Sequence, residues 1–401
     1  MAKKIVIIGA GLAGTTAARE LSERGQAVTL VDPAAGETSE RPPLSKHLFD
    51  DSRYHLPFHL ESGELVTFVR DRATEITLAE AAAQSQQAGT VHLSSGETLD
   101  FTHCILATGM TANHPEIPGY PDALPVYNLS DAQWIREQVA LTNQPLNVGV
   151  LGSGYLGMEV ATSAVAAGHE ATVYLRGDEP LRKQLSAPVR RALFDAHKQA
   201  GVNFVAHTSS PDEIPANTHN LFVTSVGARP ALIPIDGFRP AEAWEVNEKL
   251  ATSHAGIWAA GDCALITEGA YALDHPWACE PVAESHGKYL AELLSADDSE
   301  TGEPWSDIPW HWSFQGPEKV FTVGLTSADA TDTIIRHDPS GKKFQLFHFD
   351  CPDSEARLVG VETLNWPPMQ AAARRVLAGN HIPTRAQFND PDFDFKAHSR
   401  L

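Results

Sequence analysis

"KKIVIIGAGLAGTTAARELSERG", Lys3 to Gly25, decides the fold. The apolar run Ile5–Ile8 predicts a buried strand, Gly9-x-Gly11-x-x-Gly14 a tight turn, and the residues after it a helix. In such a turn the glycines let the backbone approach a pyrophosphate and let helix and strand pack closely. The helix N-terminus then offers N–H groups and a partial positive charge to that phosphate. A second strand, "AVTLVD", ends at Asp32, whose carboxylate is placed to accept from ribose hydroxyls.

The pattern recurs at Pro145–Arg182, "PLNVGVLGSGYLGMEVATSAVAAGHEATVYLRGDEPLR". Strand, Gly152-x-Gly154-x-x-Gly157, helix, Gly168 and second strand follow in the same order. Two such units imply two dinucleotides, one held as a prosthetic group and one visiting as substrate. Between the units, "HCILATGM" predicts a buried strand ending at Thr108-Gly109. "AGIWAAGDCA" predicts another, ending at Gly261-Asp262. The fold class is α/β, with two Rossmann-like dinucleotide-binding domains and a C-terminal α+β domain.

Composition narrows the possible partners. Thirty basic against 51 acidic residues give a net charge of −21 over 401 residues. Such a surface repels phosphate backbones and anionic lipid, which argues against nucleic-acid or membrane partners. No apolar run approaches the ~20 residues that span a bilayer. The N-terminus has no signal-peptide pattern, and a cytoplasmic location is expected. Cys104, Cys263, Cys279 and Cys351 are widely spaced, without a C-x-x-C pair or a metal-ligand cluster.

Taken together, these motifs resemble the two-dinucleotide-domain flavoprotein reductases. The resemblance implies that Gly9, Gly11, Ala13, Gly14 and Asp32 hold the ADP half of FAD. It also implies that Thr108 and Gly109 close the first FAD segment and that Asp262 contacts the ribitol and pyrophosphate. Arg41, Ala73 and Pro276 join the implied FAD contacts. The second turn, Gly152, Gly154 and Gly157, with Gly227, takes the nicotinamide cofactor. The implied FAD domain is split, 1–112 and 246–305. An NAD(P) domain occupies 113–245 and a C-terminal interface domain 306–401. "SSPDEIPANTH" stands where such NAD(P) domains usually carry a longer β-meander, so this one is expected to be trimmed.

"ERPPLSKHLF", Glu40 to Phe49, reads locally as a proline-stiffened loop, with a helix able to begin at "LSKHLF". It resembles the R-P-P-L-S-K segment of ferredoxin reductases of the putidaredoxin-reductase type, whose relatives include monodehydroascorbate reductases and apoptosis-inducing factor. No cysteine lies between Asp32 and Leu60, against the disulfide reductases and NADH peroxidases. The resemblance implies that Lys46 lies beside the flavin, paired with Glu159 after the second glycine turn. A cation there stabilises reduced, anionic flavin, and the carboxylate keeps that cation from being buried alone.

"PWHWSFQ", Pro309 to Gln315, resembles the family's P-W-F-W-S-D-Q segment, with His311 for Phe and Phe314 for Asp. Trp310 and Trp312 read either as core filling or, through the resemblance, with Trp312 as flavin lid and electron exit. Other departures are Tyr127 in place of an FAD-holding arginine, His254 and Ala255 in "TSHAGI", and Pro276 and Trp277 in "DHPWACEP".

The second strand of the nicotinamide unit ends "VYLRGDEPLR", with Arg176 where an acid would accept from the ribose 2′-OH. A guanidinium pairs instead with a 2′-phosphate, and Arg182 completes a clamp, which favours NADPH. Gly157, however, is the residue usual in NADH users.

Three functions follow. The first is an NAD(P)H-dependent ferredoxin reductase: hydride passes from the nicotinamide to flavin N5, then single electrons to a 2Fe–2S ferredoxin serving an oxygenase or P450. The net charge opposes an acidic ferredoxin unless basic residues cluster locally, with Arg41, Arg70, Arg72, Arg357, Arg374 and Arg375 the candidates. The second is a reductase of a small acceptor such as monodehydroascorbate, a quinone or dioxygen, distinguished at His311 and Phe314. The third is a flavoprotein with a binding role only. Monomer and homodimer both remain open.

Overall fold

The computed structural model describes residues 3–50, 54–79, 87–240, 242–296, 302–330 and 332–401. The chain divides into two compact units. The first gathers residues 1–40, 56–111 and 229–307, and the second residues 41–55, 112–228 and 308–401.

In the first unit, five parallel strands lie in the spatial order Ile257–Ala259, His103–Leu106, Ile5–Ile8, Val28–Val31 and Val66–Val69. Sheets covered on both faces need nearly continuous apolar strands, and Ile5–Ile8 is buried at every position. Helix Leu12–Glu23 buries Ala13, Ala17, Ala18 and Leu21. Helix Glu280–Ser295 crosses it closely at Gly287, where a Cβ would stand 2.5 Å from the Ala13 carbonyl oxygen. Strands Ala73–Leu78, Gly89–Leu93 and Thr98–Phe101 form an antiparallel sheet beside this layer.

The second unit repeats the parallel plan. Its strands run in the order Asn203–Val205, Glu170–Tyr174, Asn147–Leu151, Leu221–Thr224 and Leu124–Pro125. No strand lies between Val205 and Leu221, in keeping with the trimming expected at "SSPDEIPANTH", and only a short turn at Pro211–Glu213 occupies the stretch. The C-terminal part is a five-stranded antiparallel sheet, Trp310–Gln315, Glu318–Gly324, Leu358–Leu364, Phe344–Phe349 and Thr333–His337 in spatial order. Helix Pro367–Ala378 packs Met369, Ala373, Val376 and Leu377 onto Val323, Phe347 and Val361 of that sheet.

The division differs from the sequence boundaries in two places. Residues 41–55 belong to the second unit because Leu44, Leu48 and Phe49 enter its core with Val148 and Val150. The Arg136 guanidinium also donates to the carbonyls of His47 and Asp50, each at 2.6 Å, and stacks 4.3 Å from the Tyr54 ring centre. Residues 229–245 belong to the first unit, with Ile235 and Trp244 in its core and Ile76 N–H donating to the Pro234 carbonyl at 2.9 Å. The helix expected to begin at "LSKHLF" instead spans Pro42–Lys46. Proline suits the first helical turn, where its missing N–H is not needed and its φ is already set.

Candidate functional site

The two glycine turns are built alike. Gly9 has φ 106°, and a Cβ there would lie 2.2 Å from the Ala107 carbonyl oxygen. Gly152 has φ 107°, and its Cβ would lie 2.1 Å from the Ser225 carbonyl oxygen. Gly14 and Gly157 face the carbonyl oxygens of Gly9 and Gly152, at 1.9 and 2.3 Å from a built Cβ. Only the middle glycines have room. Nothing lies within 4 Å of a Cβ on Gly11, and only the Gln184 amide approaches one on Gly154, at 3.5 Å. Neither following helix has a side-chain N-cap, so N–H groups at both turns are left for a ligand.

Around the first turn, Asp32 accepts from Ala10 N–H at 3.0 Å and from Ala34 N–H at 2.8 Å. Its carboxylate is thereby fixed at the strand end beside the turn. Gly261, at φ 70°, sits against Ala13 in the first turn of helix Leu12–Glu23, and Asp262 follows it in the chain. Gly109 accepts from Ala231 N–H at 2.8 Å, and Ala73 is buried in the antiparallel sheet. Pro276 is half-buried ahead of helix Glu280–Ser295. The open space at Gly11, the uncapped helix and the fixed acid fit the phosphate and ribose of FAD.

In the second unit, Gly227 accepts from Asn113 N–H at 2.9 Å. Arg176 and Arg182 are exposed past strand Glu170–Tyr174, and Arg182 lies over Gly177. The neighbouring acids are engaged elsewhere. Glu179 meets Arg190 at 3.0 Å and Arg191 at 3.2 Å, and Asp178 meets His207 at 3.1 Å. Arg41 is exposed and lies 4.3 Å above the Tyr127 ring, the residue standing where the family arginine was expected.

Lys46 and Glu159 are brought together, Nζ to Oε2 at 3.0 Å. Glu159 is buried and accepts from Ser45 Oγ at 2.5 Å on the same oxygen. Its Oε1 accepts from Ser313 Oγ at 2.6 Å. Ser313 accepts from Gln315 Nε2 at 3.1 Å, and Gln315 Oε1 lies 2.7 Å from His197 Nε2. Burial holds the His197 pKa below its usual value, against an opposing hydrogen bond to Gln315.

Strand Trp310–Gln315 sorts its side chains by alternation, as a pleated strand must. His311, Ser313 and Gln315 reach Tyr155, Glu159 and His197 on the nucleotide-domain helices. His311 Nε2 lies 3.1 Å from the Tyr155 hydroxyl, and its Nδ1 lies 2.7 Å from Thr322 Oγ1. Burial pushes the His311 pKa down to about 4. Burial and then the charges of Glu362 and Glu159 push the Tyr155 phenol well above its usual value. Trp310, Trp312 and Phe314 take the opposite face. The two indoles lie 5.4 Å apart, with Arg374 4.2 Å over Trp310 and Lys319 5.5 Å over Phe314. Both cations are exposed.

Comparison with known proteins decides the family. Residues 3–286 match the family described as pyridine nucleotide-disulphide oxidoreductase, and residues 310–399 match the reductase C-terminal family. The chain belongs to the pyridine nucleotide-disulphide oxidoreductase family. It is therefore an oxidoreductase that uses FAD and NAD(P)H. It is 29% identical to rhodocoxin reductase of Rhodococcus erythropolis over 98% of this chain and 93% of that one. It is 27% identical to putidaredoxin reductase of Pseudomonas putida over 90% and 89%. The ferredoxin reductase for the CYP199A2 system from Rhodopseudomonas palustris has the same fold, with TM-score 0.83 and 24% identity over 99% and 100% of the two chains.

The family's disulfide chemistry has no counterpart among the cysteines here. No disulfide joins any of the four, and burial raises Cys104 and Cys263 and pushes Cys279 up to about 12. No described helix is long and apolar enough to cross a membrane. Sequence reasoning missed Ser45, His197 and Gln184. Ser45 adjoins Lys46, but nothing local marked the other two, because their partners lie far along the chain.

Proposed function

We propose that the protein passes electrons from NAD(P)H, with NADPH favoured over NADH, to a 2Fe–2S ferredoxin that serves an oxygenase or P450. One NADPH and two oxidised ferredoxins give NADP+, two reduced ferredoxins and one proton. Bound FAD supplies the change from two-electron to one-electron transfer. In this reading, residues 1–112 and 246–305 serve FAD, 113–245 the nicotinamide nucleotide and 306–401 the partner. The reassigned stretches 41–55 and 229–245 follow their compact units. A cytoplasmic location goes with this reading.

The protein groups act by position and charge. The glycine turns and their helices orient the two dinucleotides, and Asp32 and Asp262 hold the FAD ribose and ribitol. Lys46, held by Glu159, supplies positive charge to the reduced flavin. Arg176 and Arg182, both exposed and in no ion pair among the described residues, suit the 2′-phosphate of NADPH.

The observation that carries the ferredoxin reading is the aromatic face of strand Trp310–Gln315. Trp310 and Trp312 are only partly buried, and Arg374 and Lys319 stand over that face. A −21 chain thus gathers cations at the place where an acidic partner would need them. His311, one of the two family departures, points to Tyr155 instead and leaves this face unaltered. The test is anaerobic turnover of holo-protein with NADPH or NADH and a panel of 2Fe–2S ferredoxins. Saturable turnover with a ferredoxin that collapses in Trp312→Ala supports the proposal. Turnover with quinones or monodehydroascorbate alone overturns it.

A further inference from the structure

The buried carboxylate of Glu159 is served by a hydrogen-bond ladder that runs in one direction. His197 Nε2 faces Gln315 Oε1, Gln315 Nε2 donates to Ser313 Oγ, and Ser313 Oγ donates to Glu159 Oε1. Glu159, His197, Ser313 and Gln315 are each at most 5% exposed. No water is needed to close the chain, because each contact is within 3.1 Å.

The direction is not fixed by Ser313 or Gln315 alone. A hydroxyl donates either way, and a primary amide turned over presents its oxygen where its nitrogen was. With the amide reversed, Ser313 would donate to Gln315, and Glu159 Oε1 would lose its donor. His197 decides between the two. With the amide oxygen toward His197, the Nε2-protonated tautomer is the one that fits; it donates to that oxygen, holds it away from Ser313, and so commits the serine proton to Glu159.

We propose that His197 and Gln315 are positioning residues for Glu159, and through it for the Lys46 ammonium. The inference rests on the reading of Lys46 and Glu159 as the pair that acts on bound flavin. Glu159 Oε2 already receives Ser45 and Lys46, so Oε1 depends on Ser313. Without that donor, the carboxylate draws Lys46 toward both of its oxygens, and less positive charge remains for the reduced flavin.

The readout is the midpoint potential of bound FAD, by equilibrium reduction of holo-protein against indicator dyes without nucleotide or ferredoxin. His197→Phe, Gln315→Met and Ser313→Ala are each expected to lower it, in the direction of Lys46→Met. At fixed potential this is a shift of roughly three- to tenfold in the oxidised-to-reduced ratio, the size of one buried hydrogen bond. His197→Gln retains an N–H donor and is expected to restore the wild-type value. His197→Phe added to Ser313→Ala is expected to cause no further shift, because both act through one contact. Thermal unfolding of the same variants identifies any that fail to fold, and Gln315→Met, which removes the same contact from the other side, then stands in for His197→Phe.

An unmoved potential in folded His197→Phe and Gln315→Met, while Ser313→Ala shifts, overturns the proposal and leaves the two as packing. An unmoved potential in Lys46→Met and Glu159→Gln overturns the flavin-side reading of the pair itself.

Discussion

The Nε2 of His311 and the hydroxyl of Tyr155 stand 3.1 Å apart, joining the C-terminal sheet to the first residue of the second dinucleotide helix. That link is sensitive to acid. Burial places the folded-state pKa of His311 at about 4, below its ordinary 6.5. Between these values the unfolded chain binds the extra proton, so stability is full above pH 6.5 and declines as pH falls toward 4. His311→Phe is expected to remove about 2 kcal/mol of this decline, allowing for the ring's partial accessibility. Denaturant titrations at pH 7 and near pH 4.5 check it. Equal pH dependence in both proteins rules this role out. His286, pushed down to about 3 by burial, is expected to keep its own share of the acid sensitivity in either protein.

Arg176 and Arg182 set nucleotide choice in our reading. Replacing either with alanine is expected to raise KM for NADPH roughly 10- to 100-fold, the cost of a lost charged hydrogen bond. KM for NADH is expected to stay within about twofold. Steady-state kinetics with both nucleotides decide it, and a parallel rise in both KM values is the contrary result.

Gly9 and Gly11 are expected to fail differently. A Cβ on Gly9 collides with the Ala107 carbonyl in a left-handed backbone, so Gly9→Ala is expected not to fold stably. A Cβ on Gly11 meets no protein atom within 4 Å, so Gly11→Ala is expected to fold and to purify without flavin. Flavin absorbance and circular dichroism distinguish the two. Retention of FAD by Gly11→Ala would remove this turn from the FAD site.

Arg374→Glu is expected to raise KM for an acidic ferredoxin about tenfold at low salt, with the difference shrinking as salt screens the charges. Flavin reduction by NADPH is the internal control and is expected to be unaltered. A loss that is independent of salt would assign Arg374 to packing on Trp310 instead.

Lys46→Met leaves the buried Glu159 without its cation and is expected to cost about 3 kcal/mol. Adding Glu159→Gln removes the stranded charge, and the double variant is expected to recover part of that loss. Chemical denaturation of all three proteins measures the coupling.

The parallel sheets were legible because their strands are short, apolar and punctuated by glycine. Gly9 and Gly152 mark turns whose geometry admits no other residue, and Asp32 and Arg176 close the strands that follow. Lys46 and Glu159 were paired correctly only through a family resemblance, since 113 positions separate them. His197 carried no signal at all. A histidine on an amphipathic helix looks the same in sequence whether it meets solvent or a glutamine 118 residues away. The placement of residues 41–55 failed for a related reason. Arg136 claims the carbonyls of His47 and Asp50, and backbone acceptors leave no trace in side-chain patterns.

Alternation along Trp310–Gln315 gives this protein two surfaces that can change separately. The odd-numbered residues reach the nucleotide helices, and the even-numbered ones lie on the other face, half-exposed, with Trp310 resting on the C-terminal core and Arg374 and Lys319 beside them. His311 and Phe314, the two substitutions relative to the family segment, fall one on each side. Replacing an even-numbered side chain alters what the protein meets without disturbing Glu159, while deleting one residue from the strand would exchange the two roles at once. Partner choice can therefore diversify by point substitution here, and the same strand tolerates almost no change in length.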